Sequence, residues 1–171
     1  YHRVVDYLFS DEAVYYMIAQ SLAFDRDMEY TPQDLHRVYE DGWHAGPQGV
    51  YLTKAADGKM YYGKYLTYSF FLAPFIAAFG LKGFLLLNVL LLGLMIWIGW
   101  AYLRQFNPQN MALLVAVTFF LLSASFVYTF WLTPETFNMF CVSFGLFLWL
   151  YKKDSQINGE SSYRQMLSRI Q

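Results

Sequence analysis

At 171 residues, with 57% hydrophobic and 21% aromatic side chains, the chain has the length of one ordinary soluble domain. Its charges exclude that class. Residues 1–65 hold ten of the 13 acids (Asp6, Asp11, Glu12, Asp25, Asp27, Glu29, Asp34, Glu40, Asp41 and Asp57), whereas between Lys82 and Lys152 only Arg104 and Glu135 are charged. A soluble domain cannot keep so long a stretch bare, because it must present charge to water.

The net charge of −1 hides a split: six basic against ten acidic groups in the first 65 residues, six against three in the remainder. No basic patch exists, which argues against nucleic acid as a partner. The single cysteine, Cys141, lies in an apolar run; it cannot form an internal disulfide and is expected to be a small core residue. The chain opens at Tyr1 with neither an initiator methionine nor a signal-peptide pattern and closes in a polar stretch, Lys152 to Gln171. It reads as a fragment of a longer protein, with at least one upstream membrane helix missing.

In chain order, Ser10 is placed to cap a helix from Asp11 to about Ala23, with Tyr15, Ile18, Ala19 and Leu22 on one face. Thr31 and Pro32 open a second short helix, Thr31 as cap and Asp34 at its third position. A Gly/Pro loop, Gly46 to Gly49, leads into Val50–Lys54 and Lys59–Tyr62, which flank Ala55 to Gly58 and predict a hairpin. Tyr65 to Leu81 is uncharged for 17 residues with Pro74 in its middle, and is either a short span or an interfacial helix. Gly83–Leu103 and Met111–Leu132 are uncharged over 21 and 22 residues, each enough to cross about 30 Å of hydrocarbon. Thr136–Tyr151, at 16 residues, spans only if its ends dip into the headgroups.

Charge decides the ambiguous segment. If Tyr65–Leu81 lies in the interface, Arg104, Lys152, Lys153, Arg164 and Arg169 gather on one face, as the positive-inside rule favours, with Lys82 the one dissenter. The predicted fold is therefore an all-α, polytopic helical membrane bundle with an outer subregion of short amphipathic helices and a small hairpin. Its parts are a first outer loop at 1–65, an interfacial or re-entrant helix at 66–82, transmembrane helices at 83–103 and 111–132, an outer acid plus a transmembrane helix at 133–151, and a cytoplasmic polar tail or loop at 152–171.

The acids are the first candidates for chemistry. Asp11 and Glu12, just outside a membrane, could accept a proton from a hydroxyl nucleophile or bind a divalent cation, although acids in a helix's first turn are also favoured by its dipole. Glu135 is the only acid between Asp57 and Asp154, and Thr133-Pro134-Glu135 is equally a helix start. An ionisable group near membrane depth is nonetheless a functional candidate. Lys64 suits a phosphate at the headgroup level or simply snorkels. Asp25, Arg26 and Asp27 read as a solvated turn. Trp43 and the loop tyrosines could stack on a sugar or form an aromatic belt. His2, His36 and His44 have no metal-ligand spacing, and there is no P-loop and no nucleophile elbow.

Taken together, five stretches in order resemble the membrane-embedded glycosyltransferases of the GT-C fold: Asp11 to Leu22, Tyr61-Tyr62-Gly63-Lys64, Leu72-Ala73-Pro74-Phe75 through Phe79-Gly80, Asn88, and Pro134-Glu135. That group contains the protein O-mannosyltransferases, the lipid A aminoarabinose transferase and oligosaccharyltransferase, and the chain looks most like the bacterial branch related to Rgt-type and PMT-type enzymes. The resemblance implies Asp11 as catalytic acid in the first outer loop with Glu12 beside it, and Glu135 as the second outer-loop acid. In some members that second acid helps hold a metal, so Asp11 and Glu135 are the candidate ligands for a divalent ion. Lys64 matches a lysine that contacts the donor phosphate in the aminoarabinose transferase, where proline usually follows; here Tyr65 does. The segment matching Tyr65–Leu81 is interfacial in the family.

The implied activity is inverting transfer of a sugar from a polyprenyl-phosphate donor to the hydroxyl of a lipid or glycan acceptor, at the outer face of a bacterial inner membrane. A transporter or lipid flippase is the rival from another class, and a non-catalytic membrane subunit with a partner-binding loop is the third. Transporters place broken helices and ionisable groups at mid-bilayer, whereas here the acids cluster at one interface. Convergence of Asp11 and Glu135 on one cavity would favour an enzyme.

Overall fold

The computed structural model describes the backbone of residues 8–168 and the side chains of 9–151. His2, Asp6 and the side chains of Lys152, Lys153, Arg164 and Arg169 lie outside the described residues. The chain is mostly helical, and it divides into two compact units: one of residues up to 90 together with 127–135, the other of residues 91–126 with those from 136 onward.

The first unit is built around α1 (Asp11–Gln20), in which every residue from Ala13 to Gln20 is buried. The one-faced helix expected from Tyr15, Ile18, Ala19 and Leu22 is thus corrected: neighbours enclose it on all sides. Ser10 precedes α1, but its side chain makes no capping bond. A π-helical turn (Ser21–Asp25) continues α1 and stops at Arg26, whose φ of 64° ends the hydrogen-bond ladder.

The next helix, α2 (Pro32–Glu40), starts as its sequence dictates. Thr31 and Asp34 form a reciprocal capping box, with the Thr31 N–H donating to Asp34 Oδ2 at 2.7 Å. Asp34 is buried, and Arg37 joins it to Asp25, to which the Arg37 Nη1 donates at 3.0 Å. Asp25 therefore anchors a half-buried guanidinium, and Asp27 accepts from Ser21 Oγ at 3.0 Å. The turn expected at 25–27 is solvated at the exposed Arg26 and Asp27, while the bonds of Asp25 and Asp27 also tether it. Tyr16 and Gln20 of α1 both donate to Asp41 Oδ2, at 2.6 and 2.7 Å, and so fix the end of α2.

Two small sheets complete the polar region. β3 (Leu52–Lys54) and β4 (Met60–Tyr62) pair antiparallel as the expected hairpin, with Leu52 opposite Tyr62 and Lys54 opposite Met60. The other sheet was not legible: β1 (Leu8–Phe9) and β2 (Pro47–Gln48) pair in parallel, with Phe9 opposite Gln48.

α3 (Leu66–Phe79) carries Pro74 inside it, packs against α1 through an edge-to-face Tyr15–Tyr68 contact of 5.8 Å, and ends at Gly80. In α4 (Lys82–Leu103), a Cβ on Gly83 would stand 2.2 Å from the Phe75 carbonyl oxygen, so glycine is what lets the start of α4 close on α3. Among the described residues, α4 is the one helix long and apolar enough to cross a bilayer.

The expected span at 111–132 is corrected to two helices, α5 (Gln109–Leu121) and α6 (Ala124–Thr129). Ser123 makes the break: its hydroxyl donates to the Phe120 carbonyl at 3.2 Å and accepts from the Ser125 N–H at 3.3 Å, ending one helix and starting the next. α7 (Glu135–Ser168) does not stop at Tyr151 but runs on for 34 residues in all, into the polar stretch. Cys141, expected in a core, is exposed.

Gly83→Ala is expected to cost about 1–3 kcal/mol, since the added methyl meets backbone that cannot rotate away. Gly93→Ala, with no atom within 4 Å of the new Cβ, should leave thermal unfolding in detergent unchanged or slightly raised. Equal unfolding temperatures for the two variants would contradict the close approach at Gly83.

Candidate active site

The site is assembled where three chain segments of the first unit meet. The first is the entry to α1. The Ser10 N–H donates to the Gln48 carbonyl at 2.7 Å, which fastens the strand β1 edge to β2 just before the helix begins. Ser10 itself has φ 51° and ψ −121°, a conformation ordinarily left to glycine. Gly49 lies against it, with a built Cβ only 3.5 Å from Ser10 Cα. Strain of this sort persists only where the surroundings impose it, and it often marks functional sites. Its effect here is to turn Asp11 out at the head of a helix that is otherwise encased.

The second segment joins β4 to α3. Gly63 donates to the Tyr51 carbonyl at 2.9 Å, and a Cβ on Gly63 would stand 2.1 Å from the Tyr51 ring. Lacking a side chain, Gly63 lets that ring lie on the backbone next to Lys64. The Lys64 ammonium reaches Asp11 Oδ1 at 2.9 Å. Ser10 Oγ leans toward the same oxygen at 3.5 Å, so Asp11 Oδ2 carries no hydrogen bond among the described residues. Ser10, Asp11, Gly49, Tyr51, Gly63, Lys64 and Tyr65 line a cavity of about 590 Å³.

The third segment, 129–135, brings Glu135. The Lys64 ammonium is held above its usual pKa chiefly by the hydrogen bond to Asp11, with the charges of Asp11 and Glu135 adding to it. Burial pushes the Tyr15 phenol up, and Asp11 and Glu135 reinforce this against Lys64. Glu135 is therefore close enough for its charge to act on both groups, although it does not line the cavity. Its Oε2 and the Thr133 hydroxyl are buried with no hydrogen-bond partner among the described residues.

Of the sequence candidates, Asp11, Lys64 and Glu135 thus share one neighbourhood, while Glu12 is half-buried beside Asp11 and outside the cavity lining. Gly49 and Gly63 were missed as site residues, although the pair flanks the hairpin, whereas Tyr51 and Tyr65 are among the loop tyrosines considered for stacking on a sugar. Trp43 is corrected as a sugar platform, because it is buried. His36 pairs with Glu40 at 3.3 Å on the exposed side of α2.

A divalent ion is not supported by this donor set. No group of three His, Cys, Asp or Glu side chains able to hold a metal exists among the described residues, and Asp11 already holds the Lys64 ammonium. No step is therefore routed through a metal. Comparison of the chain with known protein families, characterised proteins and solved structures finds no match.

The ion pair sets a pH dependence. Because the folded Lys64 pKa is raised, its contribution is full below the unfolded lysine value of about 10.4 and fades as pH rises through the folded value. The unfolding temperatures of wild type and Lys64→Met should differ by a constant amount from about pH 7 to about pH 10 and converge above that. Convergence already near neutral pH would show that the pair does not hold in solution.

Proposed function

We propose that this chain belongs to a multi-pass membrane glycosyltransferase of the GT-C kind, which transfers a sugar from a polyprenyl-phosphate donor to an acceptor hydroxyl at the outer face of the membrane. The observation that carries this is the ion pair of Asp11 and Lys64 in one cavity, with the charge of Glu135 acting on Lys64 from beyond its lining. A general base, a cation and a second acid are the groups that such a transfer needs on one side of a membrane.

In the proposed reaction Asp11 Oδ2 accepts the proton of the acceptor hydroxyl as that oxygen attacks the anomeric carbon. The bond from the anomeric carbon to the phosphate oxygen breaks on the opposite side, and the phosphate leaves with the bonding pair, so configuration inverts. An ammonium has three N–H donors and Asp11 takes one, which leaves two of Lys64 for the departing phosphate. Tyr51 and Tyr65, both exposed, offer ring faces to the sugar. α4 supplies one membrane crossing of about 33 Å, while the exposed aromatic residues of α3, Phe70, Phe71 and Phe79, suit a helix lying in the headgroup region.

In the full-length protein with a polyprenyl-phosphate sugar donor, Asp11→Asn should lower turnover by about 10²–10⁴-fold without lowering the unfolding temperature. Glu12→Gln should retain most of the activity, and Lys64→Ala should act mainly on donor KM. Retained turnover in Asp11→Asn would remove the proposed base and with it this mechanism.

A further inference from the structure

Asn88 is fully buried in α4, a helix whose other residues from Gly83 to Leu103 include no charge. A buried amide is costly unless its hydrogen bonds are made, and here both ends of the amide are bonded. Tyr68 of α3 donates to Asn88 Oδ1 at 2.9 Å. Asn88 Nδ2 in turn donates to two backbone carbonyls, Thr129 at 3.3 Å and Trp131 at 3.1 Å.

Those carbonyls belong to the end of α6 and to the irregular stretch after it. The last carbonyls of a helix have no partner of their own, and the segment at 130–134 is neither helix nor strand. Asn88 therefore caps α6 from another helix. Four residues beyond Trp131, the same segment becomes Glu135, the first residue of α7. Tyr68 also touches Tyr15 edge-on, and its neighbour Ser69 donates to the Tyr15 carbonyl at 3.2 Å, so the same contacts reach the helix that carries Asp11.

We propose that Asn88 is a positioning residue, whose amide fastens the 129–131 backbone to α3 and α4 and thereby holds Glu135 in the neighbourhood of Asp11 and Lys64. Its role in catalysis rests on the sugar-transfer function proposed above; its role in placing Glu135 does not. Asn88 touches neither donor nor acceptor. It supplies an N–H to each of those carbonyls, and a leucine of similar volume would fill the space while removing both bonds.

The test is carboxylate labelling of the full-length protein in detergent with a water-soluble carbodiimide and glycine ethyl ester, read at each carboxylate by mass spectrometry. Asn88→Leu should raise labelling of Glu135 severalfold, because its buried Oε2 comes free, while the more deeply buried Asp34 stays unlabelled as in wild type. Unchanged labelling of Glu135, or a rise shared with Asp34, would overturn the proposal, since the second outcome is general loosening. If Asn88→Leu fails to fold, Tyr68→Phe, which removes the hydroxyl that donates to Asn88 Oδ1, is judged by the same two carboxylates and should give a smaller rise at Glu135. In sugar transfer, Asn88→Leu/Glu135→Gln should lose no more activity than Glu135→Gln alone; additive losses would count against positioning. A wild-type protein that transfers no sugar would sink the glycosyltransferase proposal and leave the labelling result to decide Asn88.

Discussion

The encasement of α1 is the constraint on which the first unit depends. A helix with no solvent-facing stripe has no rotational freedom about its own axis, because every rotation would drive buried side chains into neighbours packed at near-crystalline density. Tyr15, Tyr16 and Gln20 tie the helix to two neighbours: the Tyr15 carbonyl accepts from Ser69, and the Tyr16 hydroxyl and Gln20 amide both donate to Asp41. With the axis and the rotation fixed, the first residue of the helix is fixed too. Asp11 is half-exposed only because it stands at the open end of an otherwise closed helix.

What surrounds that open end follows from small residues more than from large ones. Gly49 yields to the strained backbone of Ser10, Gly63 yields to the ring of Tyr51, and Gly83 yields to the carbonyl of Phe75. The last two permit a backbone and a ring, or two backbones, to approach within a distance that a Cβ would forbid, whereas Gly49 serves through its φ of 70°. The result is a cavity whose walls are aromatic and main-chain and whose charges are one carboxylate and one ammonium in contact. The added charge of Glu135 acts from beyond the lining. An ammonium with acids on two sides stays protonated over the whole physiological range, which suits it to an anionic leaving group and not to proton transfer.

Local rules made much of this legible. Thr31, Pro32 and Asp34 state a helix start within four residues, and the structure carries that capping box; Ala55 to Gly58 state a turn between two short strands in the same way. Glu135 was legible as a candidate because charge is rare between Lys82 and Lys152, and Asp11 and Lys64 because they stand at a helix start and just before an apolar run. Interruptions inside apolar runs were not legible, because hydropathy reports where solvent changes and says nothing of where hydrogen bonding stops. Ser123 breaks 111–132 with one hydroxyl, and α7 crosses from apolar to polar sequence at Tyr151 with no break, since no proline interrupts it. The β1–β2 pairing was invisible because it joins residues 39 positions apart through two-residue strands, too short for any periodicity. Arg37 was overlooked for the opposite reason: its partners Asp25 and Asp34 look like ordinary surface acids until the π-helical turn brings them together.

Binding of the lipid-linked phosphate at Lys64 is the point on which the functional account turns. Native mass spectrometry of the full-length protein with added polyprenyl phosphate measures it without requiring turnover or a known sugar. The account predicts a bound polyprenyl phosphate on the wild type that is lost in Lys64→Ala and kept in Lys54→Ala, whose charge lies outside the cavity lining. Equal occupancy in all three proteins would contradict it.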